Sequence, residues 1–229
     1  MKKNGRVPAV VLSVLICSLI MSLVDGVVQP GYGAKSLMKM ALFLLVPLVF
    51  FFGNEEGRER LKMLFAPRKK DLLLAVGLGA AVYGVILGGY FLLRGVVDFS
   101  GIAGQLTADA GVSAENFVFV ALYISFVNSL LEEFFFRGYA FLSLKDHTSR
   151  PFAYCFSSAL FALYHLGMTA GWFSPAVWLL AMAGLFAGGC IFNRLNERGG
   201  NIYASWLVHM CANFAINTVG FILFGIIRV

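Results

Sequence analysis

Long apolar runs constrain the fold of this chain more than any other feature of its sequence. A helix needs roughly 20 apolar residues to cross the ~30 Å hydrocarbon core of a bilayer. The last run can form one span or two pieces broken around Asn217–Gly220. We therefore predict an all-α fold, a polytopic transmembrane helical bundle of about seven to eight spans. The runs are Val7–Val24, Leu37–Phe52, Leu72–Leu93, Phe117–Leu131, Phe152–Leu163, Pro175–Phe192 and Ile202–Ile227.

The composition agrees with a membrane protein. The chain is 59% hydrophobic and 13% charged, whereas soluble globular domains average about 45–50% apolar and about 25% charged residues. No repeat or soluble domain is visible, so we predict one integral membrane domain over 1–229, with N-terminal spans in 1–114. We expect the first run to be a retained span rather than a cleaved signal peptide. The four cysteines lie inside apolar runs without C-x-x-C spacing, which favours core residues.

The chain has a net charge of +6, and its basic residues are divided unevenly between the two predicted sides of the membrane. Lysines and arginines cluster in alternate loops, while Lys35, Lys39, Arg94 and Arg228 lie at the opposite ends of the spans. By the positive-inside rule, the N-terminus and the basic loops are expected to face the cytoplasm. We expect the membrane to be that of a prokaryotic cell. We therefore expect the lipid bilayer as a partner, with residues 58–70 against anionic lipid, and no nucleic acid. The clustered residues are Lys2, Lys3, Arg6, Arg58, Arg60, Lys62, Arg68, Lys69, Lys70, Lys145, Arg150, Arg194 and Arg198.

The stretch "NSLLEEFFFRGYAFL" at 128–142 places three ionisable residues in an apolar span. A charge at the centre of a membrane helix costs about 2.5–3.5 kcal/mol, and such residues usually have functions. Glu133 and Arg137 are one α-helical turn apart and are expected to pair. Glu132 points about 100° away and is free to face another group. The alternative is an interfacial salt-bridge cluster.

Two further spans carry polar residues that could act with this glutamate. "FALYHL" contains His165, and "LVHMCANF" places His209 and Asn213 on one helix face. A buried glutamate with two histidines supplies a general base and oxyanion donors, although each histidine could instead be a core residue. Counting 1.5 Å per residue puts His165 ~20 Å deep, but Glu132 and His209 only ~10 Å deep. Either the helices tilt or the fifth span begins outside the hydrocarbon core.

The three motifs together resemble the CAAX-protease and bacteriocin-processing family, which includes the type II CAAX prenyl endopeptidases. They are E-E-x-x-x-R from Glu132, F-x-x-x-H ending at His165, and H-x-x-x-N from His209. The resemblance covers roughly 115–220, the predicted catalytic core. It implies an intramembrane catalytic cavity in a glutamate protease that cuts a membrane-associated peptide or protein, prenylated or a leader.

The resemblance also implies the role of each site residue. Glu132 and His165 activate the water, and His209 and Asn213 hold the oxyanion. Glu133 and Arg137 are supporting residues. We expect no cofactor; zinc is the less favoured alternative, because H-E-x-x-H is missing and asparagine is a poor zinc ligand.

Other functional classes remain open from the sequence. The chain could be a catalytically silent scaffold or bacteriocin-immunity factor, or a small proton-coupled transporter, since intramembrane glutamate and histidine also form proton relays. The intact set of four polar residues argues against the silent protein. The short chain without paired repeats argues against the transporter. The sequence determines neither the substrate nor the oligomeric state.

Overall fold

The structure is a computed structural model that describes residues 6–169 and 173–229. Lys2 and Lys3, which belong to the predicted charge pattern, lie outside these residues. In the described part every regular element is helical, and no strand is present. The nine main helices are α1 (Arg6–Val28), α2 (Tyr32–Phe52), α3 (Glu55–Leu64), α4 (Lys69–Leu93), α5 (Ser100–Ala110), α6 (Phe117–Lys145), α7 (Arg150–Tyr164), α8 (Pro175–Gly199) and α9 (Tyr203–Leu223).

Six helices within the described residues are long and apolar enough to span a membrane: α1, α2, α4, α6, α8 and α9. The predicted polytopic helical bundle is confirmed. The count is below the predicted seven to eight for two reasons. Helix α7 has 15 residues and is therefore only ~22 Å long, less than the ~30 Å core. The final run forms the single helix α9, so the two-piece alternative is wrong.

Helix α6 lies at the centre of the bundle, where it contacts α1, α2, α7, α8 and α9. Every residue from Leu131 to Leu144 is buried. The outer helix α4 exposes large apolar side chains such as Leu73 and Leu92 instead. Apolar residues outside and polar residues inside suit a bundle surrounded by lipid. The central position of α6 is what brings its charged residues into contact with four other helices.

Glycines allow the helices around α6 to approach closely. A Cβ on Gly220 of α9 would lie 2.3 Å from the ring of Phe117 at the start of α6. A Cβ on Gly79 of α4 would lie 2.7 Å from the sulfur of Cys211 in α9. Small residues at helix crossings are typical of membrane bundles, because packing rather than hydrophobicity holds the helices together.

The basic loop between α2 and α4 folds onto one end of the bundle. Helix α3 begins after Asn54, whose side chain accepts a hydrogen bond of 2.8 Å from Gly57 N. Arg60 donates to the carbonyl of Leu142 in α6 at 2.9 Å, and Ile202 N donates to the carbonyl of Leu64 at 3.1 Å. Helix α3 therefore connects the end of α6 to the segment that leads into α9.

Candidate active site

The three ionisable residues of the central motif are enclosed by protein. Glu132 is 1% exposed, and Glu133 and Arg137 are fully buried. From Glu133 to Phe141 the helix is wound as a π-helix, a form often found at functional sites. Glu132 precedes this segment and binds Lys39 of α2 and Tyr164 of α7. Both glutamates also lie next to His209 of α9.

Three donors converge on one oxygen of Glu132. Its Oε1 accepts hydrogen bonds from Lys39 Nζ at 2.6 Å, Asn128 Nδ2 at 2.8 Å and the Tyr164 hydroxyl at 2.8 Å. Its Oε2 is buried and has no hydrogen-bond partner among the described residues. His209 lies beside Oε2, with its Nε2 3.6 Å away. The two oxygens of one carboxylate thus have very different surroundings.

His209 lies between the two glutamates. Its Nδ1 is 2.9 Å from Glu133 Oε1, and its ring stacks on Phe192 with the centroids 5.2 Å apart. An ionised carboxylate only accepts hydrogen bonds, so Nδ1 is the donor in this pair. This bond fixes the ring and turns Nε2 toward Glu132.

Arg137 forms the predicted ion pair with Glu133, but without a hydrogen bond. Its NH1 lies 3.7 Å from Glu133 Oε1, and none of its three guanidinium nitrogens has a hydrogen-bond partner among the described residues. The guanidinium carbon instead lies 4.0 Å from the ring centroid of Phe161 and 5.0 Å from that of Phe192. Coulomb attraction and the aromatic faces therefore hold this charge in the interior.

His165 follows the last residue of α7. Its Nδ1 is 2.7 Å from the carbonyl oxygen of Phe161, the first residue of its motif. A carbonyl can only accept, so Nδ1 carries the proton, and in the neutral ring Nε2 keeps a lone pair. The ring packs against Tyr164, with the centroids 4.5 Å apart. Because the Tyr164 hydroxyl bonds to Glu132, His165 lies next to a direct ligand of that carboxylate.

The structure shows how far Glu132 and His209 lie from the ends of their helices. Helix α6 continues to Lys145, so Glu132 lies 13 residues from its end. The depths calculated from the sequence stay predictions. His209 is only six residues into α9, but the preceding Asn201 and Ile202 are themselves buried. The segment that enters α9 thus begins inside the protein.

Asn213 lies one turn after His209 and also faces α6. Its Nδ2 donates to the carbonyl of Ile124 at 3.1 Å. One turn further, Asn217 Nδ2 bonds to the carbonyl of Ala121 at 3.1 Å. An amide nitrogen has two N–H groups, so this contact uses one of the two donors of Asn213. In the structure His209 and Asn213 share a face, but they bind different groups.

Comparison with protein families gives a match to this part of the chain. The family model described as type II CAAX prenyl endopeptidase Rce1-like covers residues 114–215. We call residues 114–215, which match this model, the Rce1-like region. The resemblance predicted from the three motifs is confirmed, and the family is one of proteases, a class of hydrolase. Comparisons with curated proteins and with solved structures give no match.

Sequence reasoning missed three residues that bind Glu132, two of them in the Rce1-like region. Asn128 is one turn before Glu132, and Tyr164 directly precedes His165. The third, Lys39, lies outside the region and was counted among the basic residues at span ends, but it is only 6% exposed. The signal for Lys39 was its position within the apolar run Leu37–Phe52, since a charge inside a span usually has a function.

The described residues of the Rce1-like region show no arrangement typical of a metal site. Within 6–169 and 173–229, no group of three or more histidine, cysteine, aspartate or glutamate side chains is placed to hold a metal ion. Glu132 Oε1 is already bound by three donors, and His209 Nδ1 by Glu133. The absence of a cofactor stays a prediction, tested by chelation below.

Proposed function

We propose that this chain is an intramembrane endopeptidase that hydrolyses a peptide bond in a membrane-associated peptide or protein. The observation that carries the proposal is the asymmetry of Glu132. Three donors hold Oε1, while the buried Oε2 has no hydrogen-bond partner in the described part of the chain. This carboxylate lies in an Rce1-like region. A fixed carboxylate with one free oxygen is suited to accept a proton from water.

Glu132 and His165 are the proposed bases. Oε2 of Glu132 accepts the proton of the attacking water as the water adds to the peptide carbonyl. The proton on His165 Nδ1 is committed to the carbonyl of Phe161 at 2.7 Å, so Nε2 is the nitrogen that can accept a hydrogen bond from the same water. The proton taken from water is then given to the leaving amine, which completes the hydrolysis.

His209 and Asn213 are the proposed oxyanion donors. The second N–H of Asn213 supplies one donor beyond its bond to Ile124. His209 already donates from Nδ1 to Glu133, so it can donate from Nε2 only when both ring nitrogens are protonated. Donors that meet negative charge on the carbonyl oxygen lower the barrier, because that charge develops in the transition state.

Glu133 and Arg137 support this site. Glu133 orients His209 through Nδ1, as the acidic partner of a catalytic histidine commonly does. Arg137 places a positive charge next to Glu133 and compensates one of the two buried carboxylates. Neither residue needs to contact the substrate to perform this function.

The site limits the class of substrate rather than its identity. Six apolar helices support an integral membrane protein, so the bond that we propose is cleaved must enter the bilayer or its surface. We propose a prenylated protein or a leader peptide as substrate. We propose that the N-terminus faces the cytoplasm of a prokaryotic cell, and the basic loops support this orientation by the positive-inside rule.

The test is a peptidase assay on the purified full chain in lipid vesicles, with membrane-anchored peptides that carry or lack a prenyl group. Wild type should release the cleaved product, identified by its mass, and Glu132→Gln should not. This variant keeps the size of the side chain and removes the base. Binding of the peptides without cleavage by wild type would favour a silent scaffold. Proton uptake coupled to solute entry without cleavage would favour a transporter.

A further inference from the structure

Lys39 is a buried cation that the Rce1-like match does not include. It belongs to α2, while the match begins at residue 114. Its side chain is 7% exposed, and it pairs with Glu132 at 2.6 Å. A buried ammonium is unfavourable unless it is paired and all its donors are satisfied. The environment of Lys39 therefore determines whether this charge belongs to the site or is only tolerated there.

All three N–H groups of Lys39 donate hydrogen bonds, and their acceptors lie together around Glu132. The ammonium donates to Glu132 Oε1 at 2.6 Å, to Asn128 Oδ1 at 2.5 Å and to the Tyr164 hydroxyl. Asn128 and Tyr164 each donate in turn to the same Oε1 of Glu132, both at 2.8 Å. Two side chains thus bridge the lysine and the glutamate in a closed network that spans α2, α6 and α7.

This network binds Oε1 of Glu132 and leaves Oε2 without a hydrogen-bond partner among the described residues. A carboxylate oxygen that accepts three donors can only be unprotonated, and the adjacent positive charge stabilises the ionised carboxylate. The same contacts fix the rotation of the carboxylate, so that Oε2 faces His209. Both effects are what a general base needs, and both depend on Lys39.

We propose that Lys39 is a positioning residue that holds Glu132 ionised and makes Oε2 the oxygen that acts as the base. The inference rests on the proposed function for its catalytic consequence. Whether the Glu132 carboxylate is ionised or protonated, however, can be measured without any peptide being cleaved. The proposal extends the active site beyond the Rce1-like region, into α2.

Other groups also act on Glu132, and the test must separate them from Lys39. His209 lies 3.6 Å from Oε2, and the Tyr164 hydroxyl bonds to Oε1. His165 and Arg137 are within electrostatic range, and Glu133 neighbours Glu132 along α6. None of these residues is substituted when Lys39 alone is replaced, and only Tyr164 loses a hydrogen bond from Lys39. A change specific to the lysine variant therefore reports on the lysine and its network.

The same helix offers a matched control. Lys35, one turn before Lys39, pairs with Asp25 at 3.0 Å, and both side chains are largely buried. Lys35→Met therefore removes an ion pair of similar burial from α2 without touching Glu132. Lys39→Met removes the charge but keeps most of the stem, and Lys39→Arg keeps the charge.

The first measurement is infrared spectroscopy of the full chain in lipid vesicles near neutral pH. Lys39→Met should show the carbonyl stretch of a protonated carboxylic acid, which disappears when Glu132→Gln is added. Wild type and Lys39→Arg should lack this band. A band in Lys35→Met would come from the unpaired Asp25 and should persist when Glu132→Gln is added. A band in wild type that disappears in Glu132→Gln would overturn the proposal, even if no lysine variant folds. Folded Lys39→Met without the band would overturn it equally.

The second measurement is kcat/KM against pH with a cleaved peptide. An opposite charge this close typically extends the pH range in which a carboxylate stays ionised by ~1–3 pH units toward acid. Lys39→Met should therefore move the acid limb of the profile to higher pH. At pH values below the acid limbs of both proteins, kcat/KM should be ~10- to 1,000-fold lower for Lys39→Met than for wild type. High pH should restore much of the loss. An unchanged acid limb in folded Lys39→Met would contradict the proposal. Absence of cleavage in wild type would refute the proposed function alone, and the infrared result would still decide the role of Lys39.

Discussion

The buried charge of Arg137 gives a prediction whose size follows from the structure. Arg137 and Glu133 are both fully buried, 3.7 Å apart, and the guanidinium relies on this attraction and on the face of Phe161 at 4.0 Å. Removing one partner of a buried pair typically costs ~3–5 kcal/mol, because the other charge is left uncompensated. For a chain of this length 1 kcal/mol corresponds to about 2–4 °C in Tm. Arg137→Met should therefore lower Tm by about 6–20 °C.

The assay is thermal unfolding of purified protein in one detergent. Glu133→Gln combined with Arg137→Met removes both charges and should be more stable than Arg137→Met alone. Lys62→Met is the control, since its pair with Glu59 is 73% and 66% exposed, and such pairs contribute only ~0–1 kcal/mol. The reasoning is refuted if Arg137→Met melts like wild type, or if the double variant is no more stable than Arg137→Met.

Three further predictions concern the donors, the metal and the topology. Asn213→Ala should reduce kcat by ~10²–10³-fold with KM and folding near normal, and Asn213→Asp should be worse; wild-type activity of Asn213→Asp would exclude the oxyanion role. Extensive chelation should leave activity intact, whereas stoichiometric zinc whose removal abolishes activity and whose return restores it would indicate a metalloprotease. In a background free of native cysteines, Lys62→Cys and Gly104→Cys should react with an impermeant thiol reagent from opposite sides, and labelling of both from outside would overturn the orientation. Gly57 is unsuitable for a cysteine because a Cβ there would lie 2.3 Å from the Phe51 carbonyl oxygen.

The sequence predicted the helical bundle because lipid requires every backbone polar group to be satisfied within its own segment. Apolar runs therefore identify spans without any knowledge of packing. Two details depended on packing and were not readable. The run at 152–163 forms α7, which is too short by itself to span the core. Gly220 does not break α9 but allows Phe117 to approach.

The motifs predicted which site residues gather and that Glu133 pairs with Arg137, but not the other contacts of the site. Helical spacing placed His209 and Asn213 on one face, and both do face α6. The π-helix at Glu133–Phe141 was not predicted, because nothing in local spacing indicates such a turn. Lys39 is 93 residues from Glu132 along the chain, so only the tertiary fold brings them together. Its place inside an apolar run was the one available sign.

The central claim is that Glu132 and His165 act on one water, and a double-variant cycle in kcat tests it most directly. Wild type, Glu132→Gln, His165→Ala and the double variant are compared with one membrane-anchored peptide under conditions where all four are folded. Residues that act as a unit show strongly non-additive effects, because either loss disables the other. The double variant should therefore be about as slow as the slower single variant. If instead the two single losses multiply in the double variant, the residues act independently and the shared water is contradicted.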